Sequence, residues 1–259
     1  MDTNQLLATL TDPDDDTRAE ALEELALRMD DQIAQVLLDL AHSDAADEVR
    51  IDAIVALGPV IEECGDEYYD DAEFDFGPEL GPPVSRETFA SIVQSLRTLY
   101  DDAAESTLIR RRAFEVLVRD AQTWQSKEIR KHFGSKDPDW RLTAVFAMGF
   151  VAGFEKMIAE TVRTAEGQLL IEAVIAAGRM SVSAAASRIH KLATSRETDL
   201  DLRLDAIEAL PHVDPDCSDT LEELTRSPKR KIAEAAEYAL EELSIFGDTE
   251  DDELELDDY

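Results

Sequence analysis

Cys64 and Cys217 are the thiols of the chain, and His42, His132, His190 and His212 are its imidazoles. Together with 59 Asp and Glu residues they are the groups that could hold a metal, attack a carbonyl or move a proton. Their spacing points to none of these. The cysteines stand far apart without a CxxC or Cys/His cluster, and the histidines form neither HxxxH nor HExxH, so no disulfide framework and no metal site is expected. Buried, inert thiols are the expectation. There is no nucleophile elbow, phosphate-cradling glycine loop or dinucleotide fingerprint. Carboxylate pairs on a helix face carry no information in so acidic a chain. The sequence predicts no catalytic residue and no cofactor.

Three other features could carry recognition. Bases outnumber acids between Ile109 and Arg141, where Arg111 takes a position that is apolar in related segments and must find water or a counter-ion; Arg112 lies beside it. Residues 64–85, "CGDEYYDDAEFDFGPELGPPVS", interleave acids with Tyr68, Tyr69, Phe74 and Phe76 and keep neither helix nor strand periodicity. Such a segment suits docking on the protein's own surface or capture of a basic, apolar partner. The end of the chain, residues 247–259, is acidic without a base and is expected to be a disordered tail. Tail or insertion would compete with external anions for the basic surface.

The elements that position these residues come from a repeat. "EVRIDAIVALG" at 48–58 returns as "DWRLTAVFAMG" at 139–149 and "DLRLDAIEALP" at 201–211. Anchored on an alanine, the pattern occurs at Ala21, Ala53, Ala113, Ala144, Ala173, Ala206 and Ala236. The steps are about 30 residues, with one of about twice that length that takes in the insertion, and this is the period of a helical solenoid. Val49, Ala53, Ala56, Leu57 and Val60 share one helix face. An amphipathic stretch precedes each such helix, as in "DQIAQVLLDLAHS" at 31–43, so each unit is a helix pair. "TDPDDD", "SKDPD" and "RSPKRK" supply prolines and N-caps ahead of second helices.

These recurring helices resemble HEAT repeats, particularly the short HEAT-like repeats of phycobilisome lyases. The resemblance implies an all-α, right-handed solenoid over residues 1–246, interrupted by the insertion at about 63–85, with the second helices lining a concave face. It also implies ladders between repeats, built from Arg18, Arg50, Arg110, Arg141 and Arg203 with Asp16, Glu48, Asp139 and Asp201. Leu170 and Ala233 break the arginine series. Two enzyme classes share such repeats, bilin lyases and alkylpurine DNA glycosylases. The first would need a tetrapyrrole-binding cluster, and the second a cationic groove.

Counted from each anchor, the positions one before and two after point outward. They place Val55, Phe146 and Ile175, with Tyr238 farther along, as an apolar stripe flanked by charge. A non-catalytic scaffold or adaptor that binds a protein or peptide there is the expected function, while oligomeric state stays open. With 25 Lys and Arg against 59 Asp and Glu the formal net charge is −34, which repels nucleic acid and resembles proteins of salt-loving cytosols. No apolar run spans a bilayer and no basic, apolar leader opens the chain, so a cytoplasmic protein without a membrane segment is expected.

Overall fold

A computed structural model describes residues 1–64 and 82–253. Over these the chain is helical: α1 Thr3–Thr9, α2 Asp15–Ala26, α3 Asp31–Ser43, α4 Asp47–Ala56, α5 Gly58–Glu63, α6 Arg86–Asp101, α7 Thr107–Leu117, α8 Gln125–Phe133, α9 Pro138–Met148, α10 Glu155–Thr164, α11 Gln168–Arg179, α12 Ala186–Thr194, α13 Leu200–Val213, α14 Ser218–Thr225 and α15 Arg230–Glu253. A single 3₁₀ turn, Ser183–Ala185, leads into α12. The expected segment 31–43 is α3 to the residue, and the last helix runs on to Glu253, through the start of the acidic segment.

The helix starts follow from local chemistry. Asp14, Asp30, Ser85, Ser106, Asp137 and Asp199 each accept a backbone N–H of the first turn, satisfying one of the donors a helix start leaves open. Pro138 follows its cap at the first helical position, where a missing N–H costs nothing. The Ser85 N–H also donates to the Asp31 carboxylate at 2.7 Å, which ties the end of the insertion to α3.

Two compact units divide the chain, Met1–Thr123 and Trp124–Tyr259. In the first, α1 packs on α2, α3 on α4 and α6 on α7; the second helices α2, α4 and α7 pack in series. In the second, the pairs are α8–α9, α10–α11, α12–α13 and α14–α15, with α9, α11, α13 and α15 in series. The fold class is therefore an α-solenoid. All seven anchor alanines are buried, none more than 2% exposed. Alanine suits these positions because a larger side chain would hold the second helices apart.

The glycine that follows several anchors has the same cause. A Cβ built on Gly149 would sit 3.3 Å from the Ala176 Cα, and one on Gly178 would sit 3.3 Å from the Ala209 Cα. A side chain at either place would force the next helix to give by a few tenths of an ångström.

Candidate functional site

The site is built on the second helices of the second unit. Gly178 and Ala209 bring α11 and α13 close, and beside that contact lies a cavity of about 330 Å³ lined by Ile175, Gly178, Arg179, Asp205, Glu208 and His212. Arg179 links it to the preceding helix. Its guanidinium sits 4.3 Å from the centre of the Phe150 ring, which packs at 5.0 Å on Phe146. On the other side, His212 Nε2 lies 3.8 Å from the Glu242 carboxylate of α15, the helix that also presents Tyr238, 58% exposed.

Asp205 and Glu208 occupy the outward positions of their repeat, and neither has a hydrogen bond or ion pair among the described residues. Burial, reinforced by the charges of Glu208 and Asp201, pushes the Asp205 carboxyl up to about 6. The first unit repeats this crowding. Burial together with Glu23 and Glu48 raises the Asp52 carboxyl, and Asp52 stands at the corresponding outward position. Such faces gain from a cation brought in from outside.

The predicted apolar residues are placed unequally. Val55, 48% exposed, belongs to the first unit, and Phe146, Ile175 and Tyr238 belong to the second. Phe146 and Ile175 are half-buried, one against Phe150 and the other in the cavity wall. Not every counted position points outward: Thr143 is buried completely and Glu115 nearly so, since their helices turn that face inward. Tyr68, Tyr69, Phe74 and Phe76 lie outside the described residues, as does the end of the acidic tail from residue 254.

Arg111 and Arg112 share a counter-ion on their own helix, Glu115, while Arg119 pairs with Glu62 of α5. Arg112 Nη1 lies 2.5 Å from the Glu115 carboxylate, and Arg111, only 7% exposed, approaches the same group at 3.9 Å. Arg112 is the more accessible of the two. Cys64 and Cys217 are both buried, and burial pushes the Cys217 thiol up to about 11. Among the described residues no group of three or more His, Cys, Asp or Glu is placed to hold a metal, and no helix is long and apolar enough to cross a membrane.

Arg18 and Arg50 form rungs between helix pairs, with acids other than those expected, whereas Arg141 lies 5.8 Å from the centre of the Phe133 ring. Arg50 Nε donates to the Ala41 carbonyl at the end of α3, leaving Nη1 and Nη2 for Glu105, in the loop before the next second helix. Arg18 likewise donates through Nε and Nη2 to Asp44 in the next pair's loop. Asp16 and Glu48, the expected acids, are exposed instead, because a residue two positions before the arginine points to nearly the opposite side of the helix. Arg110 and Arg203 repeat the carbonyl contact on Tyr100 and Ala193.

Residues 3–67 match the family of HEAT repeats. Among solved structures the chain is similar to human deoxyhypusine hydroxylase in complex with glycerol, with 17% identity over 93% of this chain and 84% of that one and a TM-score of 0.41. It is similar to the complex of CpcE and CpcF of phycocyanin lyase from Nostoc sp., with 14% identity, coverage of 94% and 95% and a TM-score of 0.48. An archaeal HEAT-like repeats protein from Thermococcus onnurineus is similar at 16% identity, with coverage of 94% and 97% and a TM-score of 0.37. No curated protein matches. The match places HEAT repeats at residues 3–67, and helix pairs packed in series recur through the rest of the described chain.

Proposed function

We propose that the protein is a non-catalytic scaffold that binds a protein or peptide on its second-helix face. The observation that carries this reading is the cleft beside α11 and α13, where Asp205 and Glu208 stand next to Ile175 without an ion pair among the described residues. A lysine or arginine entering there gains two carboxylates already held in place, and an adjacent apolar side chain gains the wall offered by Ile175. Phe146 and Tyr238 extend the same surface toward neighbouring repeats. The carboxylates repel a phosphodiester backbone, which favours a peptide over DNA as the partner.

Selection from a random peptide library on the immobilised protein tests this. Enrichment of a basic residue flanked by apolar ones is expected, with loss of those peptides on an Asp205→Asn/Glu208→Gln variant of unchanged circular dichroism. Enrichment without a basic residue, or equal retention by the variant, would remove the reading.

A further inference from the structure

The fifth arginine of the series, Arg203, stands without an acid among the described residues. Arg203 is 7% exposed and donates through Nε to the Ala193 carbonyl at 2.7 Å, as Arg50 does to Ala41. In Arg50 that pose delivers Nη1 and Nη2 to Glu105; in Arg203 the same two nitrogens have no partner among the described residues. The reason lies in the next loop. It reads "RSPKRK" at 226–231, so the segment that should supply a carboxylate supplies cations.

Arg203 lines a cavity of about 460 Å³ in the second unit, together with Arg196, Glu223, Arg226, Lys229 and others. Arg196 and Lys229 have no side-chain partner among the described residues, and Arg226 is held only loosely by Glu222, at 3.6 Å. Four cations therefore meet two acids, Glu222 and Glu223. The excess of two positive charges stands in a chain whose formal net charge is −34. Burial and the nearby charge of Arg196 both work against the Arg203 guanidinium. A buried, half-bonded guanidinium with further cations around it is costly unless an anion completes it.

We propose that this cavity binds a phosphate group. Arg203 is its buried donor, offering two parallel N–H groups, and Arg196, Arg226 and Lys229 close around the remaining oxygens. A phosphate dianion neutralises the excess of two charges, whereas one carboxylate leaves the site positive. The cavity is also larger than an inorganic ion needs, so a phosphomonoester has room for its organic part. The site is independent of the peptide-binding reading: it lies at the inter-helix loops of the last two pairs and uses none of the residues of that cleft.

Calorimetric titration of the full chain with inorganic phosphate and with O-phosphoserine, against potassium chloride and acetate at equal ionic strength, tests the proposal. Saturable binding of phosphate or phosphoserine is expected, the tighter of the two naming the form the site takes. Arg226→Gln/Lys229→Gln, at the exposed rim where folding is not at stake, is expected to weaken binding by about tenfold or more, and Arg203→Met to abolish it with circular dichroism unchanged. No saturable binding, equal binding of acetate, or affinity unaltered in the rim variant would overturn it.

Discussion

The guanidinium of Arg18 spans both carboxylate oxygens of Asp44, with Nε and Nη2 at 2.9 and 2.7 Å, and so joins the first helix pair to the second. Burial alone pushes the Asp44 carboxyl up, but the bonds from Arg18 and the Ala46 N–H outweigh it and hold the group below its usual range. Arg50 does the same for Glu105 one repeat on, where the Arg50 hydrogen bond is the largest influence on the lowered carboxyl. Because the folded values are depressed, these pairs stabilise the protein above the unfolded carboxylate range near pH 4, and their contribution is lost as pH falls below it. Glu105→Gln should cost about 2 kcal/mol at pH 7 in denaturant unfolding. It should also make the acid limb of a stability profile shallower.

The close approach of α11 and α13 sets the geometry of the cleft, and Gly178 permits it. In Gly178→Val the new Cβ would meet Ala209 at 3.2 Å between side chains and 3.3 Å from its Cα. Backbone lies on the far side of that contact, so the helices must part. A loss of about 2 kcal/mol is expected in thermal or urea unfolding, together with weaker binding of any peptide that uses Ile175.

Asp205 runs opposite to the ladder acids. Its folded carboxyl value is raised to about 6, so protonation favours the fold. The contribution is complete below about pH 4, where the unfolded group is also protonated, and declines as pH rises toward 6. Asp205→Asn should therefore stabilise the free protein at pH 7 by about 1 kcal/mol, discounted for the solvent that screens a half-buried group. The variant should also remove the decline between pH 4 and 6 in a series of urea unfolding curves. An improvement in stability joined to a loss of peptide binding marks a residue kept for recognition.

The architecture was legible because its signals are local and repeated: an alanine anchor recurs, and each anchor proves buried. The ladder arginines were equally plain. Their acids were not, since Asp44 and Glu105 lie in loops of the following pair and no spacing within one helix connects them to Arg18 or Arg50. Thr143 and Glu115 show the limit of counting from an anchor, because a small rotation of a helix turns an outward position inward. The anion cavity left a trace in the sequence, the replacement of an acidic loop by "RSPKRK", but its meaning needed the pose of Arg203. That Asp205 and Glu208 flank a cleft with Ile175 depends on how two helices meet.

Charge makes a further prediction independent of any site. Carboxylates outnumber cations by 59 to 25, and many of them stand on exposed helix faces. Their mutual repulsion reaches about 10 Å at 0.1 M salt and about 3 Å at 1 M. The thermal midpoint should rise as KCl increases between these concentrations, and the Asp205→Asn variant should rise less. A midpoint independent of salt would show that the surface carboxylates are already compensated.

The most direct test of the scaffold account is photo-crosslinking from the proposed face. A photoreactive amino acid placed at Ile175 should capture a partner in living cells, and the same group at Ser187, exposed on first helix α12, should not. Crosslinks confined to Ile175 are the predicted result. Capture of the same partner from Ser187 alone, or from both positions alike, would contradict binding on the second-helix face.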